Sequence, residues 1–159
     1  MNNQQYNLKE IIVLFGLDEP RYALPLSSVE RVVSSVEITP LPKAPNIVLG
    51  VINFQGYVIP VINIRSRFLL SKKDLTIDDQ FIIVRTSKRM LALIVDSVED
   101  VIEISQNQFV DAEEAFPFAD YLKGAAKTEE RIVLISDLEK FLSIEEEQKL
   151  DEALSREKQ

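Results

Sequence analysis

Eight short apolar runs, rich in Val and Ile, punctuate the chain: IIVLFGL (11–17), RYALPL (21–26), VLGVINF (48–54), YVIPVIN (57–63), FIIVRT (81–86), RMLALIVD (89–96), SVEDVIEI (97–104) and RIVLIS (131–136). β-Branched side chains lose little rotamer freedom on a pleated surface, so these runs predict strands. Asp18-Glu19-Pro20, Gln55-Gly56, Asp78-Asp79, Ser87-Lys88 and Glu129-Glu130 separate them and predict turns. The gaps leave no room for helical crossovers. That argues against a parallel sheet and for a mainly β barrel or sandwich with few helices.

Two segments fit a capping box, with Ser at the N-cap and Glu three residues on: 136–139 and 143–146. The first predicts a helix to about Leu142 that buries Leu138, Phe141 and Leu142. The second predicts a terminal helix with Leu150 and Leu154 on one face. Short helical turns are expected at 27–32, with Val29 and Val32 or Val33 inward, and at 64–70. The polar stretch 70–79 and the irregular stretch 111–130 interrupt the pattern. Phe116-Pro117-Phe118 within the latter is expected to pin a loop to the core. No strict internal repeat is read.

The densest apolar segment, VINFQGYVIPVIN (51–63), predicts a hairpin turning at Gln55-Gly56, where Gly56 supplies a positive φ. Both of its faces are largely apolar. A one-sided sheet would alternate apolar and polar, so this hairpin is expected between two packed units. Pro60 cannot donate to a ladder and is expected at an edge or bulge.

Composition narrows the function. The 159 residues are 46% apolar, enough for a real core, and contain no Cys and no His. Disulfide scaffolds, thiolate metal sites and histidine acid–base chemistry are thereby excluded. A net charge of −8 repels nucleic acid and anionic lipid. No run approaches the ~20 apolar residues of a membrane span. The first ten residues lack a secretory pattern, so a cytoplasmic protein without direct membrane insertion is expected. No cofactor and no metal are expected. Asp96, Glu99, Asp100 and Glu103 form the one candidate acidic cluster. A solvated strand edge is the favoured reading; an acidic metal-dependent or carboxylate-based hydrolase using Asp96, Asp100 or Glu103 is the alternative. Val29, Val33, Val98 and Val101 suggest an apolar floor for a partner helix.

The segment LPKAPNIVLGVINFQGYVIPVINIRSRF resembles the signature of the CheW family, the adaptor domains of bacterial chemotaxis arrays. RYALPLSSVERVV, RMLALIVDSVEDVIEI and YLKGAAKTEERIVLISDLEKFL resemble further family segments in the family's order. The resemblance implies two small five-stranded SH3-like β-barrels packed together, with short helices and a C-terminal helix. It implies a single CheW-like domain over 8–145 with a seam near 64–80, followed by a helical tail over 146–159. It implies a non-catalytic adaptor whose partners are the regulatory domain of a CheA-type histidine kinase and the chemoreceptor cytoplasmic tip, a helical hairpin held between the sub-barrels. Val29, Arg31, Val33, Asn53, Gln55, Val98 and Val101 are the implied contact positions. Two family charges are absent: Gln55 stands where the family has Arg, and Asn63 where it has Asp. The pair suggests an ion pair replaced by neutral residues. A third departure is Arg31, near a position that the family fills with an acid, with Glu30 beside it.

Overall fold

The structure is a computed structural model that describes residues 9–18, 20–111 and 120–157. Eleven strands are described. Five build one sheet: β3 (Val29–Ser34), β4 (Val48–Phe54), β5 (Tyr57–Ile62), β6 (Gln80–Arg85) and β7 (Met90–Val95), in the order β3-β6-β7-β5-β4. The other six are β1 (Lys9–Gly16), β2 (Arg21–Pro25), β8 (Ser97–Ser105), β9 (Phe109–Asp111), β10 (Leu122–Lys127) and β11 (Ile132–Ser136), in the order β8-β1-β2-β11-β10-β9.

The two orders are the same plan used twice. Strands β3, β6, β7, β5 and β4 correspond to β8, β1, β2, β11 and β10, and each plan has one parallel pair, β5 with β7 and β11 with β2. The three-residue β9 on the outside of β10 matches a single bridge, Thr39 to Val51, on the outside of β4. The expectation of five strands in each unit therefore holds, with β9 an added closing segment. We call the β1-containing unit the first barrel and the other the second.

Alternation explains why the strands are apolar on both faces. On β6, Phe81 and Ile83 fill the second barrel, while Ile82 and Val84 face the core shared by the two units. On β7, Ala92 and Ile94 face inward, and Leu91, Leu93 and Val95 face the shared core. The first barrel repeats this: Ile12, Leu14 and Ala23 lie inside, and Phe15, Tyr22 and Leu24 at the shared core. A strand buried on both faces must read as a continuous apolar run.

Three expectations need correction. The stretch 64–80 is not a seam, because β5 before it and β6 after it share a sheet. The chain passes between barrels at the 3-10 turn Leu26–Ser28 and at Asp96, so the second barrel is inserted within the first. Residues 27–32 are not helical beyond that turn; the β-branched Val29, Val32 and Val33 pair with β6 instead. Ser136 does not cap a helix. It ends β11, its buried hydroxyl has no partner among the described residues, and only a 3-10 turn follows at Leu138–Lys140. Leu138, Phe141 and Leu142 are nonetheless buried as expected. Phe116-Pro117-Phe118 lies outside the described residues.

The second capping box is present: Ser143 N–H donates to Glu146 Oε1 at 2.8 Å and Glu146 N–H to Ser143 Oγ at 3.1 Å. It starts the terminal helix, Ile144–Glu157, whose Leu150 and Ala153 enter the shared core. The short α1 (Ile64–Arg67) ends with Leu69 at φ 57 and the Leu70 N–H donating to Arg65 O at 2.9 Å. This closing position favours glycine, and the Leu69 side chain is 92% exposed, so it gains nothing by packing. Leu69→Gly is expected to raise the unfolding free energy by about 0.5–1 kcal/mol, read from the urea midpoint.

Candidate partner-binding site

The hairpin tip is tight. Phe54 pairs with Tyr57, and both Gln55 (φ 52) and Gly56 (φ 86) take the left-handed conformation. Asn53 Oδ1 accepts the Gly56 N–H at 3.0 Å, so Asn53 shapes the turn. The expectation that the whole hairpin is covered is corrected. Its root reaches the shared core through Val48 and Ile62, but Tyr57 and Val58 are 66% and 60% exposed. Pro60 sits in an inner strand opposite Val51, where the β5–β7 ladder has not yet begun.

Gln55 and Asn63 are not remnants of one ion pair. They flank the two ends of β5, about 20 Å apart at the usual strand rise. Arg31 reaches the hairpin instead: its guanidinium lies 5.9 Å from the centroid of the Phe54 ring, one residue before Gln55. This contact joins the two edge strands of the sheet, β3 and β4, and so closes the second barrel.

The four valines divide. Val29 and Val98 are half-buried against the shared core, from β3 and β8 respectively. Val101, 52% exposed, pairs with the buried Val13, which in turn pairs with Leu24 of the shared core. Val33 is the exception: it faces the interior of the second barrel. The seam residue of that strand is Val32. Ile11 and Leu26, both partly exposed, extend the strip on the first barrel.

A bulge in each strand produces this arrangement. In β8, Val98 pairs with Phe15 and Asp100 with Leu14, leaving Glu99 as the extra residue. In β3, Val29 pairs with Val84 and Arg31 with Ile83, leaving Glu30 extra. A regular strand points residues three apart to opposite faces; one inserted residue brings them to the same face. Hence Val29 and Val32, and Val98 and Val101, all look to the seam. The signal was in the sequence as a short internal repeat, Ser-Val-Glu-Arg-Val-Val (28–33) and Ser-Val-Glu-Asp-Val-Ile (97–102). Both extra glutamates are paired, Glu30 with Arg85 at 3.0 Å and Glu99 with Arg21 at 2.5 Å.

The acidic cluster is dispersed among ion pairs. Arg65 Nη1 and Nη2 contact the Asp18 carboxylate, each at 2.9 Å, and Nη2 lies 2.8 Å from Asp96 Oδ2. Lys73 Nζ adds Asp96 Oδ1 at 3.0 Å and the buried Asp79 at 3.1 Å. Burial pushes the Asp96 carboxyl up, but the Asp18 N–H, Arg65 and Lys73 outweigh it and hold it at about 2. A general acid needs the opposite shift. Glu103 pairs with Lys9 at 3.4 Å, and Asp100 lies exposed on β8. No group of three or more metal-ligating side chains occurs among the described residues. The hydrolase reading thus finds no support at Asp96, Asp100 or Glu103.

Two SH3-like barrels fused over a common core, with an apolar strip along the seam, define a β-barrel scaffolding module. The chain matches the family described as CheW-like domain over residues 12–146. It is 33% identical over 136 residues to "Chemotaxis protein CheW" of Thermotoga maritima, covering 85% of this chain and 89% of that protein. To the protein of the same name from Treponema pallidum it is 29% identical over 156 residues, covering 94% and 89%. Among solved structures it is similar to the scaffolding protein TtCheW from Thermoanaerobacter tengcongensis, with a TM-score of 0.80, 32% identity and coverage of 87% and 96%. The chain belongs to the CheW family of chemotaxis coupling adaptors. No helix among the described residues is long and apolar enough to cross a membrane.

Proposed function

We propose that this chain is a non-catalytic, cytoplasmic adaptor that joins chemoreceptor cytoplasmic tips to the regulatory domain of a CheA-type histidine kinase. The observation that carries the partner reading is the seam strip: Val29 and Val32 from one barrel and Val98 and Val101 from the other, turned together by matching bulges. An amphipathic helix lays its apolar face on such a strip. The receptor tip, a helical hairpin, supplies one. The kinase domain then takes a barrel surface away from the seam, and the exposed hairpin tip with Arg31, Asn53, Gln55 and Tyr57 is the one we assign to it.

Val101→Glu tests the seam. Val101 is half exposed, so the substitution is expected to change the unfolding free energy by no more than about 0.5 kcal/mol. Titration with a receptor-tip hairpin is expected to show affinity reduced at least about tenfold, with kinase-domain affinity unchanged. Unaltered hairpin binding would remove the seam from the binding surface. Single contacts in arrays are weak and gain strength by multivalency, so the titration extends to high micromolar concentrations.

A further inference from the structure

The two bulges that shape the seam are held in different ways. In β3, the Val29 N–H donates to Leu26 O, the closing bond of the 3-10 turn Leu26–Ser28. No such turn precedes β8, which follows β7 directly through Asp96. There the Val98 N–H donates to Gln80 Oε1 at 2.7 Å. Gln80 is the first residue of β6, in the other barrel, so this hydrogen bond runs from barrel to barrel at the bulge itself.

We propose that Gln80 is a positioning residue for partner binding: its amide oxygen holds the β8 bulge, and the bulge turns Val98 to the same face as Val101. The inference rests on the seam being the surface that receives the partner helix. A strand bulge leaves backbone groups without ladder partners, and a half-buried N–H left unpaired is unfavourable. Gln80 supplies the missing acceptor. Ile102 and Ile104 are anchored inside the first barrel and fix the rest of β8 in register. Loss of the acceptor therefore releases Val98 and leaves Val101 in place. One wall of the strip is then incomplete, although both barrels keep their cores. Gln80 touches no partner in this account; it acts through Val98.

Gln80→Leu keeps the side chain's size and removes the acceptor; Gln80→Asn keeps the amide and shortens its reach. Gln80→Glu retains an oxygen at the same position and is the conservative rescue. Each variant is titrated with a receptor-tip hairpin and with the kinase regulatory domain, and Val98 amide exchange is followed by NMR. For Gln80→Leu and Gln80→Asn the expected result is hairpin affinity reduced about tenfold, kinase-domain affinity within about twofold of the parent, and faster Val98 exchange. Gln80→Glu is expected to restore both affinity and exchange. Folded Gln80→Leu or Gln80→Asn that binds the hairpin like the parent, while Val101→Glu does not, overturns the positioning role alone. A parent protein that binds the kinase domain but no hairpin overturns the seam reading and this inference together.

Discussion

Arg65→Met is expected to lower the unfolding free energy by about 2 kcal/mol, less than for a fully buried ion pair because its partner Asp18 is 47% exposed. The Arg65 side chain is 10% exposed and joins Asp18 at the end of β1 to Asp96 at the crossing from β7 to β8. Its removal leaves the Asp18 and Asp96 carboxylates without their shared guanidinium, while Lys73 stays paired with Asp96. The loss depends on pH, and its sign follows from Asp96. The Asp96 carboxyl is held at about 2 against an ordinary 3.8, so it contributes stability above pH 4 that is lost as pH falls toward 2. That contribution is about 1–2 kcal/mol, toward the low end because Asp96 is still 27% exposed and partly screened. Urea titrations at pH 7, 4 and 2.5 are expected to show the parent losing stability over the last interval. The Arg65→Met protein is expected to lose less there, since its Asp96 keeps the Asp18 N–H and Lys73 but loses the lowering that Arg65 supplies. Equal acid sensitivity in the two proteins would show that the network is not its origin.

Gly50→Ala is expected to be more damaging still, by about 4 kcal/mol, combining left-handed strain with overpacking. Gly50 has φ 154, and a Cβ there would lie 2.3 Å from Thr39 O and 2.7 Å from Ile38 Cγ2. Thr39 cannot retreat without breaking the pair of bonds that closes the second barrel, Thr39 N–H to Val51 O at 2.9 Å and Val51 N–H to Thr39 O at 2.8 Å. Gly124 occupies the equivalent place in the first barrel, with the Val110 carbonyl 2.2 Å from its would-be Cβ. Gly124→Ala is expected to cost less, about 2–3 kcal/mol, because Gly124 has no left-handed φ and only the overpacking applies. Both are read from urea midpoints with far-UV circular dichroism. Because the barrels share one core, each variant should unfold in a single transition, and two separated transitions would mean that the shared core does not couple them.

The ion network and the glycines are legible in sequence only as residue types. Arg65 follows the second hairpin strand, and Asp96 closes the run 89–96, but nothing in the chain says that they meet. The internal repeat stands in plain letters, but six residues are too few to stand out among many Val-rich stretches. Its meaning depends on the bulge. Counting with a period of two assigns Val98 and Val101 to opposite faces, and Val29 and Val32 likewise. The insertion of Glu30 and Glu99 reverses that assignment. A helical turn over 27–32 likewise leaves Val32 and Val33 interchangeable, and only the pairing of β3 with β6 separates them.

The sequence by itself determined the strands, the hairpin turn, the terminal helix with its cap, and a double-sided apolar pattern that requires burial on both faces. Those properties are local: propensity, turn chemistry and periodicity act over a few residues. The tertiary structure alone decided which of two cores each face enters, that the second barrel is inserted in the first, and which valines reach the seam. Two apolar faces look alike in a sequence, and a one-residue bulge is fixed by the partner strand and by hydrogen bonds from residues far away along the chain.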